Sequence, residues 1–179
     1  MIKNSILLFC LFFSTFIFAQ QPVSGTMITN FGKTFKVENP GFKTDTTHVF
    51  KVVFDIARTF EDPSKPNTLL ETAARFINMH ELAGVPKENL KVAVVIHGNA
   101  SQDILTDSEY AKRVSESKNP NTELLTALAN NGVQIILCGQ TAANKKISKT
   151  EAHPNVQIAL SAMTALVQLQ DQGYRSINF

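Results

Sequence analysis

The stretch Val133-Gln134-Ile135-Ile136-Leu137-Cys138-Gly139-Gln140-Thr141 constrains this chain more than any other. It opens as a β-branched apolar run, the pattern of a strand buried on both faces. Asn131-Gly132 stops a helix directly before it. Cys-Gly-Gln-Thr ends the run, and Ala142-Ala143-Asn144 begins a new helical turn. A thiol therefore stands at the carboxyl end of a core strand, where open α/β sheets hold their ligands. The first N–H groups of the following turn favour an anion such as a thiolate. A cysteine buried as a small hydrophobe satisfies the same pattern.

The rest of the chain repeats the alternation. His48 to Ile56 reads as a first core strand. Asp62-Pro63-Ser64-Lys65-Pro66 is a loop, after which Pro66 or Asn67 opens a helix with Leu69, Leu70, Ala73, Phe76, Ile77 and His80 at helical spacing. Lys91 to Gly98 reads as a second core strand, followed by a polar loop from Asn99 to Thr106. Asp107 caps a short helix ending at Val114. Asn119-Pro120 starts another with Leu124, Leu125 and Leu128. Two patterns fit Val156 to Gly173: one helix carrying Val156, Leu160, Met163 and Val167, or a strand Val156–Ala159 before a helix capped by Ser161. Tyr174 to Asn178 reads as a last short strand. Strands alternating with helices argue for a mainly parallel sheet covered on both faces, with right-handed crossovers. Every apolar stripe is claimed by that core, so the sequence names no further interface.

The N-terminus stands apart. Lys3 precedes an apolar run from Ile6 through Phe18, closed by Ala19 before Gln20-Gln21. That is the order of an export signal, too short for a comfortable membrane span. Cleavage after Ala19 is expected, with an uncleaved anchor as the alternative. The mature protein is thus expected in the periplasm or otherwise exported, with no stable membrane insertion. Residues 20–47, with Asn39-Pro40-Gly41 and alternating Phe31, Phe35 and Val37, read as an extended arm or short hairpin laid on a single domain of residues 48–179. Cysteine arithmetic follows. The chain has two cysteines, and removal of the signal takes Cys10 and leaves Cys138 alone. A single thiol in an exported protein is buried and inert, paired with another chain, or reactive.

With these residues in place, the C-terminal half resembles the DsrE/DsrF-like family, particularly its exported, stand-alone members. The pieces that carry the resemblance are Lys91-Val92-Ala93-Val94-Val95-Ile96-His97-Gly98, Gly132 through Thr141, Pro154-Asn155-Val156-Gln157-Ile158, and Leu166 through Tyr174. Phe50-Lys51-Val52-Val53-Phe54-Asp55 looks like the family's opening strand. The resemblance implies a three-layer α/β/α sandwich with a mainly parallel five-stranded sheet. It favours the strand Val156–Ala159 and a helix from Ser161. Sulfur-relay members carry sulfur as a persulfide on a cysteine, to which Cys138 corresponds, and they assemble as oligomers. A homo-oligomer is therefore expected, with a small sulfur-containing molecule or a sulfur-relay protein as partner. The alternative is a non-catalytic oligomeric module that binds a small ligand or a protein at the same sheet edge.

Cys138 is the leading site residue. His97 ends the second strand, and beside Cys138 its imidazole would stabilise a thiolate or shuttle a proton. A histidine hydrogen-bonded in a loop is the plainer account. Gly139, Gln140, Thr141 and Asn99 are candidates for substrate contact. Gln140, Thr141 and Asn144 also suit ordinary capping. Lys145 and Lys146 suit a solvated helix end, and Ser101 loop polarity. Cys138, His97 and His153 are metal-ligand types, but no Cys-x-x-Cys or His-x-x-x-His pair supports a metal site. No phosphate-loop or dinucleotide motif appears, so no cofactor is expected. A formal net charge of +2 gives no nucleic-acid footprint.

Overall fold

A computed structural model describes residues 20–114 and 118–178. The expected signal, residues 1–19, lies outside the described residues. The strands are β1 (Phe50–Ile56), β2 (Leu90–Ile96), β3 (Gln134–Cys138), β4 (Val156–Ala159) and β5 (Arg175–Ile177). They form one five-stranded sheet in the order β4-β3-β2-β1-β5, with every pairing parallel. The helices are α1 (Thr68–Leu82), α2 (Asp107–Val114), α3 (Thr122–Asn130), α4 (Gly139–Asn144) and α5 (Ala162–Asp171).

The strand order dictates where the helices lie. From β1 through β2 and β3 to β4 the chain always steps in one direction across the sheet. Right-handed crossovers then put the intervening helices on one face. Only the connection from β4 back to β5 runs the other way, so α5 lies on the opposite face. The packing follows this division. Val52, Phe54, Ile56, Val92, Val94, Ile96, Ile135 and Leu137 pack with Leu70 and Ile77 of α1, Leu124 and Leu128 of α3 and Ala142 of α4. Val53, Ala93, Val95, Ile136 and Cys138 pack with Ala162, Ala165 and Leu169 of α5. The small side chains of Ala93, Ala162 and Ala165 let α5 lie close to the sheet.

The ambiguous segment resolves as strand plus helix. Ser161 Oγ accepts the Thr164 N–H at 3.0 Å and caps α5. The helical stripe seen in the sequence is mostly solvent-facing: Val156 is buried, whereas Leu160, Met163 and Val167 are exposed. An apolar surface is therefore left over, contrary to the expectation that the core uses every stripe. Several ends also shift. The second strand stops at Ile96, and Gly98–Gln102 forms a 3-10 turn where a polar loop was expected. Asp107 is the first residue of α2, and Thr106 Oγ1 accepts the Glu109 N–H. Helix α3 starts at Thr122, two residues after Pro120.

The arm folds back through a Val23–Thr34 antiparallel bridge. Asn78 of α1 is fully buried beneath it and donates to the carbonyls of Ile28 and Phe31 at 2.8 and 2.9 Å. Its Oδ1 accepts the Ile28 N–H. One amide thus satisfies several backbone groups that the arm would otherwise bury unpaired. No helix among the described residues is long and apolar enough to cross a membrane.

Candidate functional site

Adjacent strands whose following helices leave to opposite faces open a crevice at their carboxyl ends. Here those strands are β3, which leads into α4, and β4, which leads into α5. Cys138 is the last residue of β3 and pairs in register with Ala159, the last of β4. The thiol therefore sits at the switch point of the sheet. It belongs to the cluster under α5 and is only 6% exposed.

Burial pushes the Cys138 thiol up, but hydrogen-bond donors outweigh it and hold the group below the ordinary thiol value. The donors are the Thr141 N–H, the Thr141 hydroxyl, the Ala162 N–H and the Gln140 N–H. Of the three N–H groups, two come from the first turn of α4 and one from the start of α5, where helical N–H groups lack intrahelical acceptors. Gly139 makes this convergence sterically allowed. A Cβ there would lie 2.3 Å from the Ala159 carbonyl oxygen and 3.0 Å from that of Leu160. The β4–α5 loop can press against the β3–α4 loop only because position 139 has no side chain.

The remaining expected residues gather at the same edge in supporting positions. Gln140 Nε2 donates to the Leu160 carbonyl at 3.2 Å and ties the two loops across the thiol. Thr141 Oγ1 accepts the Gly98 N–H at 3.3 Å, so one hydroxyl joins the β2 loop to Cys138. Gly98 has a φ of +56° and leaves no room for a Cβ, which would meet the Ala57 carbonyl at 2.9 Å. Asn99 Oδ1 accepts from Lys145 Nζ at 3.4 Å. Ser101 is buried and donates to the Gly98 carbonyl. Asn144 and Lys146 are exposed. His153 is buried on the other side of the sheet, with Nε2 3.2 Å from Thr126 Oγ1. Among the described residues no group of three or more His, Cys, Asp or Glu side chains is arranged to hold a metal ion.

His97 does reach this edge, but its hydrogen bond goes to β1. Its Nε2 is 2.9 Å from Asp55 Oδ1. The groups that depress the Cys138 thiol are backbone N–H groups and one hydroxyl, not the imidazole. Asp55 escaped the sequence reading. Its signal was a lone carboxylate near the end of a strand that is apolar apart from Lys51. Asp103 also escaped it. This carboxylate is 2% exposed and accepts from Asn67 Nδ2 at 2.6 Å and Thr59 Oγ1 at 2.9 Å. Burial pushes it up to about 6 against the pull of these donors and of Lys145. Asn67 also caps α1, and Asn121 Oδ1 accepts its N–H. The loops after β1 and β2 and the starts of α1 and α3 are thus held by one buried polar network.

The family model of the DsrE/DsrF-like family matches residues 51–179. The chain belongs to the DsrE/DsrF-like family. As a member of it, the chain has the expected mainly parallel sheet with flanking helices. Two solved structures share the fold. One is the protein of unknown function MTH1491 from Methanobacterium thermoautotrophicum, 20% identical, covering 73% of this chain and 99% of that one with a TM-score of 0.52. The other is the ychN protein from E. coli, 18% identical with the same coverages and TM-score. At these identities the likeness is one of fold. No curated protein matches the sequence.

Proposed function

We propose that this DsrE/DsrF-like protein is an exported sulfur carrier in which Cys138 holds sulfur as a persulfide. The observation that carries this is the donor set around Cys138 at the sheet's switch point. A thiolate is the nucleophile that accepts sulfur, and these donors favour it against burial. They would also hold the terminal sulfur of a persulfide, which is likewise an anion. The incoming partner is a small sulfur-containing molecule or a sulfur-relay protein. The mass of purified protein before and after reduction tests this. A reducible increment of one sulfur atom on the peptide carrying Cys138 is expected. A thiol that reacts with a small alkylating reagent only after unfolding would refute the proposal.

Export rests on Lys3, the apolar run and Ala19. Protein from the native envelope should begin at Gln20, and full-length chain in the cytoplasm would contradict this. Assembly into a homo-oligomer is supported by an apolar surface at the β4 edge. Ile158, Leu160, Met163 and Val167 are 41–75% exposed, and α5 carries no charge before Asp171. A self-complementary two-fold contact on an uncharged surface brings no like charges together.

A second reading has its own observation. With only 6% of Cys138 exposed and an apolar face beside it, the domain also suits a non-catalytic oligomeric binding module. Native-state thiol reactivity separates the two.

A further inference from the structure

Three chemically active side chains from three neighbouring strands end on one face of the sheet. Val53, Val95 and Ile136 all pack beneath α5. Side chains alternate along a strand, so Asp55, His97 and Cys138, each two residues further on, share that face at its carboxyl end. The ladder pairs Ile96 with Leu137, which puts His97 beside Cys138 one step later. Neighbouring strands lie about 4.8 Å apart. Only α5, among the described helices, packs on this face, and it starts at Ala162 next to the thiol. His97 and Asp55 therefore stay open to solvent, with side chains 31% and 27% exposed.

The Asp55–His97 contact fixes the imidazole chemically. The carboxylate accepts the Nε2–H at 2.9 Å, which leaves Nδ1 as the nitrogen that exchanges a proton. This is the arrangement by which a carboxylate orients a histidine for proton transfer. It accounts for a charged residue in a strand that is otherwise apolar apart from Lys51 at its start.

We propose that Asp55 is a positioning residue that holds His97 as the proton shuttle for sulfur transfer at Cys138. The inference rests on the sulfur-carrier reading of Cys138. The Cys138 thiolate attacks the outer sulfur of a small persulfide, R–S–SH. The new Cys138 S–S bond forms, the R–S to SH bond breaks, and the electron pair leaves with R–S⁻. Imidazolium His97 protonates this leaving thiolate to R–SH. It then recovers the proton from the new Cys138–S–SH, leaving Cys138–S–S⁻. One proton moves from the terminal sulfur to the leaving sulfur, and no oxidant or reductant is consumed.

The thiolate itself is supported by the Gln140, Thr141 and Ala162 groups, so alkylation and sulfur transfer should respond differently. The test loads the full mature chain with cysteine persulfide and follows sulfur uptake by mass across pH. Iodoacetamide alkylation is measured in parallel. Asp55→Asn should slow uptake on the order of 100-fold. Alkylation should keep its wild-type rate and midpoint, and Asp55→Glu should restore part of the uptake. His97→Gln should reproduce the same split, which keeps the test intact if Asp55→Asn does not fold. Wild-type uptake by Asp55→Asn and His97→Gln at every pH would overturn the proposal. So would an equal loss of alkylation and uptake, the mark of a merely structural role. A wild-type protein that takes up no sulfur would instead refute the sulfur-carrier reading itself.

Discussion

Gly139 lies against the backbone of Ala159, and a Cβ at position 139 would fall 2.3 Å from the Ala159 carbonyl oxygen. Backbone cannot yield to such a contact as a flexible side chain can. Gly139→Ala should push the β4–α5 loop away, and the Ala162 N–H would move with it. We expect a stability loss of about 1–3 kcal/mol, the usual cost of overpacking. The alkylation midpoint of Cys138 should rise toward that of a free thiol, because one of its donors withdraws. Denaturant unfolding and alkylation rate against pH measure the two effects.

Thr141 serves two loops with one hydroxyl. Its oxygen accepts the Gly98 N–H while the group donates to Cys138. Thr141→Val keeps the shape and removes both interactions. The thiol midpoint should rise, and the unpaired Gly98 N–H should cost about 1–3 kcal/mol to the extent that it is shielded from water. Thr141→Ser should preserve the midpoint. An unchanged midpoint in Thr141→Val would show that backbone N–H groups alone hold the thiolate.

Much of this architecture was legible in the sequence because burial on both faces leaves an unmistakable residue pattern. Lys91 to Gly98 and the run from Val133 read as core strands for that reason. The Val156–Gly173 segment was not legible by period. Leu160, Met163 and Val167 recur at helical spacing but face outward, and periodicity does not distinguish a core stripe from an exposed one. Cys138 was legible as a strand-end thiol. The N–H groups of the turn after it were legible too, but the Ala162 N–H was not, since only the pairing of β3 with β4 brings the start of α5 to the thiol. Asp55 lies 42 residues from His97, and only strand order and register bring them together.

The exposed face of α5 predicts how the proposed assembly would be broken. Met163 and Val167 are one turn apart and both exposed. Met163→Lys with Val167→Glu should leave the fold intact, because neither side chain is part of the core. Light scattering should report a smaller species for this double variant than for the wild type. Equal masses for both proteins would place the contact elsewhere. A wild type that is monomeric at all concentrations would remove the oligomer altogether.

Asp103 predicts an acid-side dependence of stability. In the folded chain its carboxyl is pushed up to about 6 by burial, against 3.8 for the free group. Between these values the native state holds a proton that the unfolded chain has already released. Stability is therefore highest below about pH 4 as far as this group is concerned. It falls as pH rises to about 6, then stays level. The difference between the two values corresponds to about 3 kcal/mol. Asp103→Asn removes the titration and should flatten that part of the profile. It keeps an oxygen for one of the two donors, Asn67 or Thr59, but turns its own NH₂ toward the other. The variant should thus be less stable than the protonated wild type at pH 4 and should close the gap by pH 7. Urea unfolding at pH 4, 5, 6 and 7 measures it. A wild-type profile with the same slope as Asp103→Asn would mean that the carboxylate is already ionised at pH 4, with the Asn67 and Thr59 donors outweighing its burial.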